Sequence, residues 1–116
     1  MDNIHNSFSF LTIKEREDVH RFNISFLSFF DITERDLKYK SRKKEYVFLR
    51  AIYTAGLINK KFSYTKIARV LGLENHSSIR NYVKNYIKNE KQFEFQKEFK
   101  NFNDYYYNTN RIYELI

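Results

Sequence analysis

Four short hydrogen-bonding side chains in a row, Asn75, His76, Ser77 and Ser78, open a segment that continues through Arg80, Asn81, Lys84 and Lys88. Amides, imidazoles and hydroxyls can meet the edges of bases, and guanidinium and ammonium groups donate to anionic oxygens. No Asp or Glu stands between Asn75 and Asn89 to compete for those cations. A second group lies upstream, where Lys38, Lys40, Arg42, Lys43 and Lys44 put five cations into seven residues. Like charges at that density repel, and a polyanion relieves the repulsion. An ordinary solvated helix face and a charged surface loop account for the same residues without a partner.

Catalytic chemistry finds no comparable grouping. His5, His20 and His76 have no spacing of metal-ligand type, Cys is absent, and the acids are scattered rather than paired. Neither an enzyme nor a bound metal or cofactor is expected. His20 falls on the polar side of its helix and reads as merely exposed.

Composition narrows the partner. The chain has 116 residues, room for one small domain, and a formal charge of +7 that favours polyanions. Membrane surfaces are polyanions too, so charge alone does not choose DNA. There is no apolar run long enough to cross a bilayer and no basic-then-apolar leader in "MDNIHNSFSF". A cytoplasmic, nucleoid-associated protein is therefore expected, without membrane or small-molecule substrate.

With no Pro and only two Gly, long helices are the economical fold. Apolar periodicity predicts an all-α domain of about six helices. A polar-aromatic arm is expected over 1–13. Val19, Phe22, Phe26, Phe29 and Phe30 mark a first helix. Thr33 and Asp36 form a capping box on a short second one. Phe48, Ala51, Ile52, Ala55 and Ile58 mark a third, ending near Asn59. Ser63 caps a fourth carrying Ile67, Ala68 and Leu71, and Gly72 supplies the positive φ that ends it. Ile79, Tyr82, Val83, Tyr86 and Ile87 recur as one buried face of the fifth. Phe95, Phe99, Phe102 and Tyr106 stripe a sixth. The domain is expected over 14–104, with an aromatic tail over 105–116. Tyr105, Tyr106, Tyr107, Ile112, Tyr113 and Leu115 then form either core or the surface for a homodimer or protein partner.

The fourth and fifth patterns together read as a helix-turn-helix. Ala68 allows close helix approach, Gly72 turns the chain, and Ile79 re-enters the core seven residues later, a turn one residue longer than usual. In such a pair the second helix meets base edges with its first residues. Asn75 has a rival reading as a helix N-cap, and the two roles compete for one side chain.

The stretch "SRKKEYVFLRAIY…FSYTKIARVLGLENHSSIRNYVKNY" resembles domain IV, the C-terminal DNA-binding domain of the bacterial replication initiator DnaA, with a Trp-repressor-like helical fold. "GLENHSSI" stands where that family has Gly-Gly-Arg-Asp-His-Ser/Thr-Thr-Val, and the likeness runs from about Val19 to Phe99. It implies sequence-specific binding to double-stranded DNA. By position it assigns a minor-groove contact to Arg42 and major-groove readout to Asn75, His76 and Ser77. Phosphate contacts fall to Arg50, Ser78 and Asn81, with Lys43, Lys44, Arg80 and Lys84 added as flanking cations. Leu49 and Ala51 replace the family's Pro and Gln, Leu73 and Glu74 its turn Gly and Arg. Asn75 replaces an aspartate that accepts from cytosine; a free amide can pair with adenine instead, which implies an altered site. The family's ATPase is missing: with two glycines no phosphate-cradling GxxxxGK[ST] loop can be built. The expectation is a stand-alone DNA-binding regulator of transcription or replication, of the kind a phage or mobile element carries. The alternative is a module that docks a replication or regulatory protein through its aromatic C-terminal surface.

Overall fold

The computed structural model of the protein describes residues 9–38, 43–73 and 75–111. Within them every regular element is helical, as the scarcity of turn residues predicts. In chain order they are α1 (Ile13–Phe30), α2 (Glu34–Lys38), α3 (Lys44–Asn59), α4 (Tyr64–Val70), α5 (Ser77–Tyr82) and α6 (Phe93–Thr109). A π turn, Val83–Ile87, prolongs α5 and closes on a Lys88 N–H to Val83 carbonyl bond of 2.8 Å.

Side chains write the starts of α1, α2 and α4. Thr33 and Asp36 form the expected reciprocal box, at 3.0 and 3.1 Å, and Ser63 accepts from the Lys66 N–H at 3.2 Å. A further box, Thr12 with Glu15 at 2.9 and 3.1 Å, starts α1 at Ile13. The Glu15 carboxyl is held below its ordinary pKa, first by the Lys66 ammonium 2.8 Å away and next by the Thr12 backbone N–H. The expected arm is thereby shortened: Leu11 is buried, and Phe10 lies under the Arg69 guanidinium. The rest of the arm falls outside the described residues.

Three helices stop in the same way. Asp31, Lys61 and Gly72 take the left-handed conformation, at φ 53°, 70° and 74°. The next N–H in each case reaches back five residues: Ile32 to Leu27, Phe62 to Leu57, Leu73 to Ala68, at 2.8–3.1 Å. This bond pattern satisfies carbonyls that a helix end leaves open. Only at Gly72 is the conformation free of steric cost; a Cβ costs roughly 1–2 kcal/mol there.

The core is wrapped around α3, which is buried without a break from Arg50 to Leu57. Phe22 and Phe26 of α1 meet Tyr53 edge-on at 5.0 and 5.2 Å, and Phe102 of α6 at 5.5 and 5.2 Å. Tyr53 donates its hydroxyl to the Asn23 side-chain oxygen; burial, with a smaller push from the Glu34 carboxylate, raises its phenol pKa far above the ordinary value. Gly56 is the point of closest approach, since a Cβ there would overlap the Phe22 ring. The phenylalanines of α6 pack on α1 as expected, but the domain does not end at 104. Tyr106 is buried, the Tyr105 ring lies tilted 5.0 Å from that of Phe29, and buried Asn110 donates to the Ser25 hydroxyl at 3.0 Å and the Tyr106 carbonyl at 2.9 Å. Residues 105–111 thus belong to the domain; Ile112, Tyr113 and Leu115 lie outside the described residues. No described helix is long and apolar enough to cross a membrane.

Gly56→Ala is expected to lower the unfolding free energy in urea by about 1–3 kcal/mol, although Ala is the better helix former, because Phe22 has nowhere to go. Lys61→Gly should raise it by about 1 kcal/mol by relieving the left-handed Lys. A Gly56→Ala variant as stable as the parent would contradict the first assignment, and a Lys61→Gly variant no more stable than the parent would contradict the second.

Candidate nucleic-acid interface

α4 and α5 pack against each other around the Gly72 turn, and both rest on α3. Ile79 is fully buried, and Tyr82 and Val83 nearly so, with Tyr86 and Ile87 partly covered. The 3.6-residue period of these apolar side chains therefore turns the other face to solvent. Asn75, Ser77, Arg80, Asn81, Lys84 and Lys88 are all exposed, and His76 and Ser78 are half-buried. Among the described residues of this segment there is no acid.

At the beginning of α5 the cap is divided between two residues. His76 takes the N-cap position and its side chain makes no capping bond. Asn75, one residue earlier, accepts from the Ser77 N–H through its side-chain oxygen at 2.8 Å. Asn75 thus performs the capping duty from outside the helix, and its oxygen is already engaged. Pairing with adenine requires that same oxygen to accept while the amino group donates; an amide oxygen has two lone pairs, and the cap uses one of them. The Nδ1 atom of His76 is buried without a hydrogen-bond partner.

Arg50 is not where a phosphate contact must be. It is 5% exposed, its Nε donates to the Tyr82 hydroxyl at 3.2 Å, and its Nη1 to the Leu37 carbonyl at 3.5 Å. Leu37 belongs to the last turn of α2, where carbonyls lack helical partners. Arg50 joins α2, α3 and α5 from inside, and the expectation of a surface role is corrected accordingly. Position 50 lies on a stretch of α3 that is buried all round, so the resemblance points at a side chain that cannot reach out.

The far end of α5 is held just as firmly. Tyr86, Phe48 and Phe95 pack with ring centroids 5.5–6.2 Å apart. The Gln96 amide donates to the Tyr86 and Ile87 carbonyls at 3.3 and 3.4 Å, the former also accepting from the Asn89 N–H at 3.3 Å. Phe48 against Tyr86 and Arg50 against Tyr82 set the beginning of α3 beside the C-terminal half of α5. Lys43 and Lys44 are exposed there, at the positive end of the α3 dipole, where cations are unfavourable and an anion is welcome. Lys38 is drawn into an i,i+4 pair with Glu34 at 3.0 Å. Lys40 and Arg42 lie outside the described residues. The carbonyl link to Leu37 and the Phe48–Tyr86 contact follow from tertiary packing and carry no sequence signal.

Comparison with known proteins returns no match: no family model, no curated protein and no solved structure is similar to this chain.

If Arg50 is an internal tie, Arg50→Ala should cost about 2–3 kcal/mol of stability in urea unfolding, the value of charge-assisted bonds lost from a buried site. A loss below about 0.5 kcal/mol, typical of surface substitutions, would restore it to the surface.

Proposed function

We propose that the protein binds double-stranded DNA in a sequence-specific manner and acts as a regulator of transcription or replication. α4 and α5 serve as a helix-turn-helix, with α5 as the recognition helix. The observation that carries the reading is the division of α5: an apolar face locked to α3, and an opposite face of amides, hydroxyls and cations that is exposed and free of acids. A helix so divided offers the major groove short hydrogen-bonding groups first and phosphate-binding cations along its flank.

His76 and Ser77 are proposed to face base edges together with the Asn75 amino group. Ser78, Arg80, Asn81, Lys84, Lys43 and Lys44 hold phosphates. Arg42 is assigned the adjacent minor groove by its resemblance to the initiator's basic loop. The acid-free polar face of α5 favours nucleic acid among the polyanions that the cationic excess would attract, and a cytoplasmic, nucleoid-associated location goes with that choice. Packing of Tyr105 and Tyr106 into the core weakens the case for docking a protein through the C-terminal aromatics.

Selection from a random duplex library should enrich one sequence, and its affinity should fall steeply with salt. Each phosphate contact removed should lessen the slope of log K against log salt by about 0.9. Enrichment of nothing, or an affinity indifferent to salt, would end the proposal. Within it, His76→Ala is expected to flatten discrimination between the selected and a scrambled duplex, whereas Lys43→Ala weakens both alike. Identical behaviour of the two variants in a binding titration would refute the division of roles.

A further inference from the structure

We propose that the outer face of α1 pairs with the same face of a second copy of this chain, the two helices running antiparallel about a two-fold axis. Among the described residues, three large apolar side chains stand out into solvent: Ile13, Ile24 and Phe93. Two of them share α1. Eleven residues are close to three helical turns, so Ile13, 70% exposed, and Ile24, 57% exposed, fall on one line, about 16 Å apart at helical rise. Glu17 and His20, both exposed, stand between them on that line. Val19, Phe22 and Phe26 hold the opposite side in the core, so the stripe faces directly away from the contacts that fix α1 in the fold.

Read along the stripe, the order Ile, Glu, His, Ile is its own complement when reversed. In an isologous contact residue i meets j and j meets i. An antiparallel copy centred between positions 18 and 19 sets Ile13 on the second copy's Ile24 and Glu17 on its His20, and each pair occurs twice. A slip of one turn either way would set an isoleucine against His20 or Glu17, so the pattern also specifies the register. Imidazole donates an N–H to a carboxylate whether it is neutral or charged, and the central pairs therefore leave no carboxylate unmet. Arg21, one turn from Glu17, is joined to Asp18 at 2.8 Å and stays at the rim. A partner of any other kind must bring its own acid, its own donor and two apolar groups at these spacings; the chain itself carries that set. One helix pair is a small contact, so the dimer is a weak one.

Sedimentation equilibrium of the full chain without DNA, at concentrations up to about 1 mM, reaches the weak end of the affinity scale. A monomer–dimer equilibrium is expected. Ile24→Lys should weaken it about tenfold or more, as the loss of an apolar anchor does. Glu17→Lys sets Lys against His, and His20→Glu sets Glu against Glu, so each should weaken it too. The double variant, Glu17→Lys with His20→Glu, exchanges the two partners and should recover the dimer. All three positions face water in the monomer, so circular dichroism of the variants at low concentration should match the parent's. A chain that stays monomeric throughout would overturn the proposal, and so would a dimer indifferent to Ile24→Lys. A double variant no better associated than its two parents would overturn the antiparallel pairing on which the proposal stands. The stripe belongs to α1, apart from α4 and α5, so none of these outcomes decides the DNA-binding reading.

Discussion

The structure depends on burying the second half of one helix completely. From Arg50 to Leu57, α3 has no side facing water, so every other element must cover part of it. α1 covers it with Phe22 and Phe26, α6 with Phe102, and α4 and α5 with Ile67 and Ile79. Gly56 makes the tightest of these contacts possible by leaving room for the Phe22 ring. The candidate interface inherits its rigidity from this arrangement. α5 with its π turn is too short to be stable alone, and its orientation is imposed by Ile79, Tyr82 and Tyr86 against the α3 surface.

Such burial also explains where the sequence was legible and where it was not. α1, α4 and α5 each have one wet face, so periodicity identified Phe22, Ile67 and Ile79 as core, and Arg80, Asn81 and Lys84 as surface. α3 has no stripe in its second half, and the pattern of Phe48, Ala51, Ile52 and Ala55 misses Tyr53, Thr54, Gly56 and Leu57, which are just as deep. The surface role of Arg50 rests on the family resemblance alone, and no apolar stripe in this half of α3 speaks against it. The Thr12–Glu15 box is legible as Thr-x-x-Glu, but the residues before it carry no apolar period to mark a helix start. The run of tyrosines from Tyr105 resembles a tail in composition; the burial of Tyr106 and the Asn110 bond to Ser25, 85 residues away along the chain, show that it closes the domain.

The two parts of the proposed interface do not coincide: Asn75, His76 and Ser77 mark the beginning of α5, whereas Lys43 and Lys44 begin the helix whose Phe48 and Arg50 meet Tyr86 and Tyr82. On the DNA-binding reading, a duplex that meets both must run along α5. The groove about 12 Å wide then receives the first turn, while the bordering phosphates meet Lys84, Lys43 and Lys44. Arg50 joins these regions from within, through Tyr82 on one side and the Leu37 carbonyl on the other.

The way the helices stop has a consequence at the level of coding. Glycine and proline codons begin with GG and CC, whereas those of Asn, Lys, Ile, Tyr and Phe are built mainly from A and T. A chain holding two glycines and no prolines is written largely in the second vocabulary. It must therefore reverse direction with whatever that vocabulary provides, and it does so by bending Asp31 and Lys61 into a conformation that glycine alone adopts without strain. The backbone bonds that follow them, Ile32 to Leu27 and Phe62 to Leu57, close over those two torsions.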